Sequence, residues 1–428
     1  MTRPAGLQFP IATQRLDNGL TVVLSEDHGA PIVATNLWYH VGSKNEPAGK
    51  TGFAHLFEHM LFEGSQHVPD KSFIPTIQRL GGDVNGSTGT DTTNYYETVP
   101  SEHLPLALWL ESDRMGWLVP AMNQEKLDNQ RSVVKNERRW RYENQPYGLW
   151  LENFLELAYP EGYPYRHPVI GSMEDLDSAS LKDIERFFTT YYTPDNAVLS
   201  VVGDFEPREA LRLVDHYFGS IPRGPGKPPV TATFQGQHGE QRRTLRDKVQ
   251  LARVFLGFHA PAITEPDFHA AMVLTDVLSA GKSSRLYKRM VYEKQIAQQA
   301  TSFLYPMELT SVIFLEASGK PGGTPEVLED ALLREIEGLK NSAPPEREME
   351  RIRNQIATHH YYALQTVNGR ADQLSECAIH FGDPRRLLTE VDRYLAVTAR
   401  EVQEAAHRYL RPENRTVVTF VPQEGGAA

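Results

Sequence analysis

The sequence holds a single cysteine, Cys377. No internal disulfide can staple the fold, and a lone cysteine of this kind reads as a small buried apolar residue. There is no run of about 18 consecutive apolar residues, the length that a membrane-spanning helix requires, so no membrane partner is expected. There is no basic excess either. Lys and Arg number 44 against 55 Asp and Glu, a net charge of −11. That balance argues against nucleic acid, whose phosphates need a positive surface. The opening residues, MTRPAGLQFPIATQRLDNGL, lack the apolar core of a signal peptide. A cytoplasmic location is expected, or a periplasmic one where an export signal has been removed.

What is present is an ordinary globular composition, 40% hydrophobic and 23% charged, over 428 residues. That length exceeds a single hydrophobic core and predicts two domains of roughly 200 residues. LDNGLTVVLSED carries an Asn18-Gly19 turn signal followed by β-branched alternation, and PIVATNLWYHVGS reads as a second strand. Helical patterns run from Thr51 to about Leu80. GGDVNGSTGTDTTNYYETVP then reads as two strands joined by a turn. Helices return from about Glu102 to Tyr192, and AVLSVVGDF is another strand. The Pro- and Gly-rich stretch GSIPRGPGKPPVTATFQGQHG has no apolar period and marks a linker. After it the order repeats, down to a final strand in RTVVTFVP.

A short internal match supports the repetition. YYTPDNAVLSVVGDF near the end of the first half resembles RYLRPENRTVVTFVP near the end of the second. Each copy ends a helix, turns at a Pro-acid-Asn triplet and enters an apolar strand. The expected architecture is α+β: two tandem domains of like topology, each a mostly antiparallel sheet packed with helices. The expected boundaries are 1–220, a linker at 221–237, and 238–428.

The chemistry concentrates in GFAHLFEHMLFEG. His55 and His59 are four residues apart, so on a helix they share one face and can bind one tetrahedral Zn²⁺ together. Glu58 lies beside that face and can reach an attacking water without being a ligand. Phe53, Leu56, Phe57, Met60, Leu61 and Phe62 surround them, which predicts a buried helix. A lone histidine in such a place is usually a hydrogen-bonded core residue. Two histidines and a glutamate on one apolar helix need stronger partners, and a divalent metal supplies them. Catalytic zinc takes three protein ligands and an open position. EKLDNQRSVVKNERRWRYE offers Glu125, Asp128, Glu137 and Glu143 for the third, and charge pattern alone does not choose among them.

HLFEH followed by VVKNERR resembles the pitrilysin family of inverzincins, whose signature is His-x-x-Glu-His. The similarity is to its short-chain members, which include the catalytic (beta) subunit of mitochondrial processing peptidase. It extends over LDNGL, HLFEHMLFEGS, GGDVNGSTGTDTTNYYETV and the Pro-Asp-Asn strand. The resemblance implies one Zn²⁺ per chain on His55, His59 and Glu137, with Glu58 as general base in peptide-bond hydrolysis. Gln130 departs from the family pattern. It stands seven residues before the third ligand, where a second glutamate is frequent, and brings a hydrogen bond without charge.

The resemblance also implies how substrate binds. An extended peptide adds as a further strand to the open edge of the Val84–Thr90 segment, with limited sequence demand. Asn85, Gly86, Ser87 and Thr88 are the substrate-facing positions. Asn85 anchors a substrate carbonyl or stabilises the turn, and the sequence does not decide between them.

In active family members a second-half domain supplies an Arg and a Tyr that hold substrate carbonyls, within a clamshell of four domains. This chain has half that number. After SSRLYKRM it reads QIAQQATSFLY and LTSVIFLEAS, with Tyr305 expected at a turn beside Pro306. The expectation is the catalytic subunit of a heterodimer, its partner a homologous chain without the zinc motif, with a homodimer as the alternative. A non-catalytic homologue with a docking or scaffolding role is the main rival reading. A barrel amidohydrolase is a weaker one, because no regular strand-helix alternation is present.

Overall fold

The structure, a computed structural model, describes residues 9–423. The first eight of the residues read for an export signal, and the outer ends of both predicted domains, lie outside that range. Eleven strands form among the described residues: β1 (Ala12–Arg15), β2 (Thr21–Glu26), β3 (Ile32–Tyr39), β4 (Asp83–Thr88), β5 (Thr93–Pro100) and β6 (Ala197–Gly203), then β7 (Gln241–Asp247), β8 (Arg253–Ala260), β9 (Ala297–Tyr305), β10 (Ser311–Gly319) and β11 (Arg415–Pro422). They build two sheets, ordered β1-β2-β6-β3-β5-β4 and β7-β11-β8-β10-β9. Each sheet has one parallel pair, β2 with β6 and β7 with β11, and is otherwise antiparallel. Leaving out β1, the two orders and senses are the same. The repeat read from the sequence is thus a repeat of topology.

The Pro-acid-Asn triplets show how short matching sequences set matching structure. Pro194–Asn196 and Pro412–Asn414 each form one 3₁₀ turn before an interior strand, β6 or β11. The Asn196 side-chain amide donates to the carbonyls of His40 and Tyr191, at 3.3 and 2.8 Å. Asn414 donates to those of His259 and Tyr409, at 2.8 and 2.7 Å. In both halves one asparagine ties the end of a preceding helix to the end of the neighbouring antiparallel strand.

The chain forms two units, but not as contiguous halves. The first comprises residues up to Glu137, Pro168–Thr231 and His360–Glu390; the second comprises Arg138–His167, Ala232–His359 and the residues from Val391 onward. One junction between the units, Thr231 to Ala232, lies in the Pro- and Gly-rich stretch, and residues 221–237 form neither helix nor strand. In the first unit, the helix Val367–Phe381 lays Val367, Ala371, Leu374 and Cys377 on Val23, Ala34, Val198 and Val202 of the six-stranded sheet. In the second, the helix Trp150–Ala158 packs Phe154, Leu155 and Ala158 with Phe255, Phe314, Val418 and Phe420. An amphipathic pattern says that a helix has a buried face; it does not say which sheet receives it.

Helical structure between Thr51 and Leu80 is interrupted: Phe53–Met60 and Phe73–Arg79 are helices, and the residues between them are not. Tyr305 closes β9 opposite Val312 and does not lie in the turn predicted for it. Among the described residues no helix is long and apolar enough to cross a membrane.

Candidate metal centre

The helix Phe53–Met60 starts at Gly52, whose φ of 90° suits glycine; a Cβ there would meet the Ile170 carbonyl oxygen at 2.7 Å. No serine, threonine or aspartate caps it. The Glu46 carboxylate does so from outside, accepting from the amides of Gly52 at 2.9 Å and Ala54 at 2.7 Å. One residue earlier, Asp175 accepts from both the amide and the hydroxyl of Thr51, at 2.9 and 2.6 Å. The apolar face of the helix is buried, with Phe57 packed among Phe187, Phe188 and Tyr192. His55, Glu58 and His59 form the remaining stripe and are half-buried. The helix therefore keeps a narrow polar face where the sequence predicted almost none.

Glu137 comes from the helix Gln124–Arg138. Leu127 and Val134 on that helix are fully buried, and the Arg131 guanidinium donates to the carbonyls of Leu176 and Ala179 at 2.9 and 2.6 Å. Thus anchored, the helix brings Glu137 Oε2 to 3.4 Å from His59 Nε2 and 3.7 Å from His55 Nε2. The two imidazoles stand edge to face, with centroids 4.8 Å apart. One ligand atom from each residue lies within 4.8 Å of the others, the one such group of three among the described residues. Tetrahedral zinc with bonds of about 2.0–2.1 Å sets its ligand atoms roughly 3.3 Å apart. Two nitrogens and one carboxylate oxygen at these spacings fit that ion. Of the four acids that the sequence left open, Glu137 is the one that converges with the histidines.

Glu58 faces β4. Thr88 Oγ1 donates to Glu58 Oε2 at 2.7 Å. A Cβ on Gly86 would lie 3.3 Å from both Glu58 Cγ and Phe62 Cε2, and 3.1 Å from Tyr95 Cδ1, so the strand passes this close because residue 86 has no side chain. The four predicted substrate positions divide between the two sides of β4, as strand alternation requires. Gly86 and Thr88 face Glu58, while Ser87 donates to Asn94 at 2.6 Å on the other side. Asn85 pairs in register with Tyr96 and shares with Glu58, His59 and Gln130 a cavity of about 390 Å³.

Gln130 Nε2 donates to Glu63 Oε1 at 2.5 Å, and both residues are buried. Sequence reading missed Glu63 and Glu46, since an isolated acid reads as solvated. It also missed the buried guanidinium of Arg114, which lies over the rings of Tyr95, Phe73 and Phe62 at 4.1, 4.5 and 5.3 Å. Arg114 is held by Glu111 and by Glu97. Burial, and then the facing Glu111, push the Glu97 carboxyl well above the ordinary carboxylate range.

A family model described as Insulinase (Peptidase family M16) matches residues 21–170, which contain the whole cluster, and one described as Peptidase M16 inactive domain matches residues 178–356. The chain is 29% identical over 411 residues to the zinc protease PqqE of Helicobacter pylori, covering 95% of this chain and 92% of that protein. It is 24% identical over 423 residues to the mitochondrial-processing peptidase subunit beta of Blastocladiella emersonii, covering 96% and 88%. The crystal structure of a protease from Helicobacter pylori superposes with a TM-score of 0.91 at 28% identity, covering 97% of this chain and all of that one (100%). With a family model on each half, relatives along nearly its whole length and a shared fold, the chain belongs to the pitrilysin (M16) zinc-metallopeptidase superfamily.

Proposed function

We propose that the chain is a zinc-dependent endopeptidase acting on extended or unfolded peptides. The observation that carries this reading is the convergence of His55, His59 and Glu137 within 4.8 Å on a helix that also presents Glu58. Those three residues would hold one zinc ion. When bound, zinc supplies Lewis acidity, which acidifies water and polarises a scissile carbonyl. Glu58 accepts the proton of the attacking water and passes it to the leaving amine. Thr88 fixes the Glu58 carboxylate against β4 while this happens. β4 ends the six-stranded sheet, and its backbone at Asn85, Gly86, Ser87 and Thr88 pairs with substrate as an added strand.

The relative that is itself named a subunit supports reading this chain as the catalytic member of a heterodimer. Neither β9 nor β10 contains arginine. The partner would be a homologous chain that lacks His-x-x-Glu-His, supplies the substrate-binding Arg and Tyr, and closes a clamshell chamber with this one; a homodimer is the alternative. A second reading is a homologous subunit without catalysis. It is favoured by the same lack of arginine, by Gln130 in place of a carboxylate, and by a second-half family model that is itself that of an inactive domain.

Metal analysis together with a quenched extended peptide separates the readings. The protein is expected to carry one zinc and to cut the peptide. Glu58→Gln is expected to keep the zinc and lose roughly 10²–10⁴-fold in rate, and His59→Ala to lose both. A metal-free, inactive chain, alone and with a motif-less homologue from the same source, would leave the docking reading.

A further inference from the structure

We propose that Glu63 makes the cavity beside Glu58 and His59 a subsite for a basic substrate side chain, lysine or arginine, next to the scissile bond. The proposal rests on the peptidase reading for where the peptide lies. Three features of the cavity carry it.

The first is an unbalanced charge. Glu63 is 7% exposed and lines the cavity. Gln130 satisfies one of its oxygens but is neutral. Among the described residues Glu63 forms no ion pair. A carboxylate held out of water without a counter-charge is poorly solvated, and a cation entering beside it restores part of the lost solvation.

The second is shape. Phe62, Ile74 and Pro75 form an apolar wall, and about 390 Å³ is ample for one long side chain. Phe62 is held edge-on by Phe73 and Tyr95, each with centroids 5.7 Å away. Lysine and arginine combine an apolar stem with a charged end, and so match a wall of this kind that leads to a carboxylate.

The third is the weakness of the competing charge. Lys71 also lines the cavity, but it is exposed. Its field is strongly screened by water, and that of buried Glu63 much less so. An acidic substrate side chain would gain little from Lys71 and meet repulsion from Glu63. A purely apolar one would desolvate Glu63 further.

Binding to the full-length Glu58→Gln protein tests this without catalysis. The probes are fluorescent peptides of Ala, Gly and Ser carrying one Arg, one norleucine or one Glu. The Arg peptide is expected to bind about tenfold more tightly than the norleucine peptide, as a desolvated ion pair gives, with the Glu peptide weakest. Adding Glu63→Gln should abolish the Arg advantage at unchanged zinc content, and adding Lys71→Met should preserve it. If Glu63→Gln does not fold, Glu63→Asp, which withdraws the carboxylate by one methylene, should reduce the advantage. Equal binding of Arg and norleucine, preference for Glu, an Arg advantage that survives Glu63→Gln, or no binding of any probe would overturn the proposal. Arg preference in a chain whose Glu58 form never cuts would sink the peptidase reading and leave the subsite. Cutting without Arg preference would do the reverse.

Discussion

The Gln130 amide and the Glu63 carboxylate face each other across 2.5 Å, buried beside the His-His-Glu cluster. In the family resemblance read from the sequence, position 130 is often glutamate. Here the carboxylate of the pair stands on residue 63, and residue 130 carries the amide that it needs. Gln130→Ala leaves Glu63 without its donor and is expected to cost about 1–3 kcal/mol in chemical denaturation. Gln130→Glu places two carboxylates in contact and is expected to cost at least as much at neutral pH. Unchanged midpoints in both variants would show that the pair contributes nothing.

Glu46 should matter to the metal site although it touches none of the ligands. Glu46→Ala strips the first turn of the Phe53–Met60 helix of two acceptors. The expected loss is about 1–2 kcal/mol of stability, together with weaker zinc retention in competition with a chelator. Glu46→Gln keeps one acceptor oxygen and should fall between the two. Loss of stability with undiminished zinc retention would confine Glu46 to folding.

At Gly86 the prediction concerns catalysis more than stability. Gly86→Val puts a branched side chain where a Cβ alone already lies 3.3 Å from Glu58 and Phe62. On the peptidase reading, kcat/KM should fall at least tenfold, with the zinc content intact. A fully active valine variant would show that β4 can move aside and does not position the base.

His259 sets a pH dependence in the second unit. Its ring is buried, its Nε2 lies 3.0 Å from the Ala158 carbonyl, and burial lowers its pKa to about 4. The folded state keeps it neutral, while the unfolded chain protonates it near 6.5. Its contribution is therefore present above pH 6.5 and is lost as pH falls towards 4, by roughly 3 kcal/mol in all. Asp276, raised by burial to about 6, acts in the opposite direction over much of that window. The measurement is thus the difference between wild type and His259→Gln, whose unfolding free energies should converge from pH 7 to pH 4. A constant difference would mean that His259 titrates normally.

Strand order along the chain, the zinc-type motif and the repeat were legible because each is written in local pattern. Alternation gave β2 and β3, i to i+4 spacing gave His55 and His59, and the two Pro-acid-Asn triplets gave like turns. The third member of the cluster was not legible locally. Glu125, Asp128, Glu137 and Glu143 are equivalent as charges, and only the docking of their helix brings one of them to the histidines. Glu46 and Glu63 were passed over for the same reason, since their partners are fixed by tertiary structure. The interleaving of the two units along the chain has a related cause: the helices that cover the two sheets carry no mark of which sheet they belong to.

That last point bears on how the protein is made. All three cluster residues and all six strands of the first sheet have been synthesised once Gly203 is added, yet the helix that shields Val23, Ala34, Val198 and Val202 begins only at Val367. A nascent chain thus displays a finished sheet with one greasy flank bare during the synthesis of most of the second unit. A fragment cut in the Pro- and Gly-rich stretch would keep every candidate ligand and still want for its lid. Such a fragment should be sticky and chaperone-bound, and the helix Val367–Phe381 near the other end of the chain would be needed for the N-terminal site to mature.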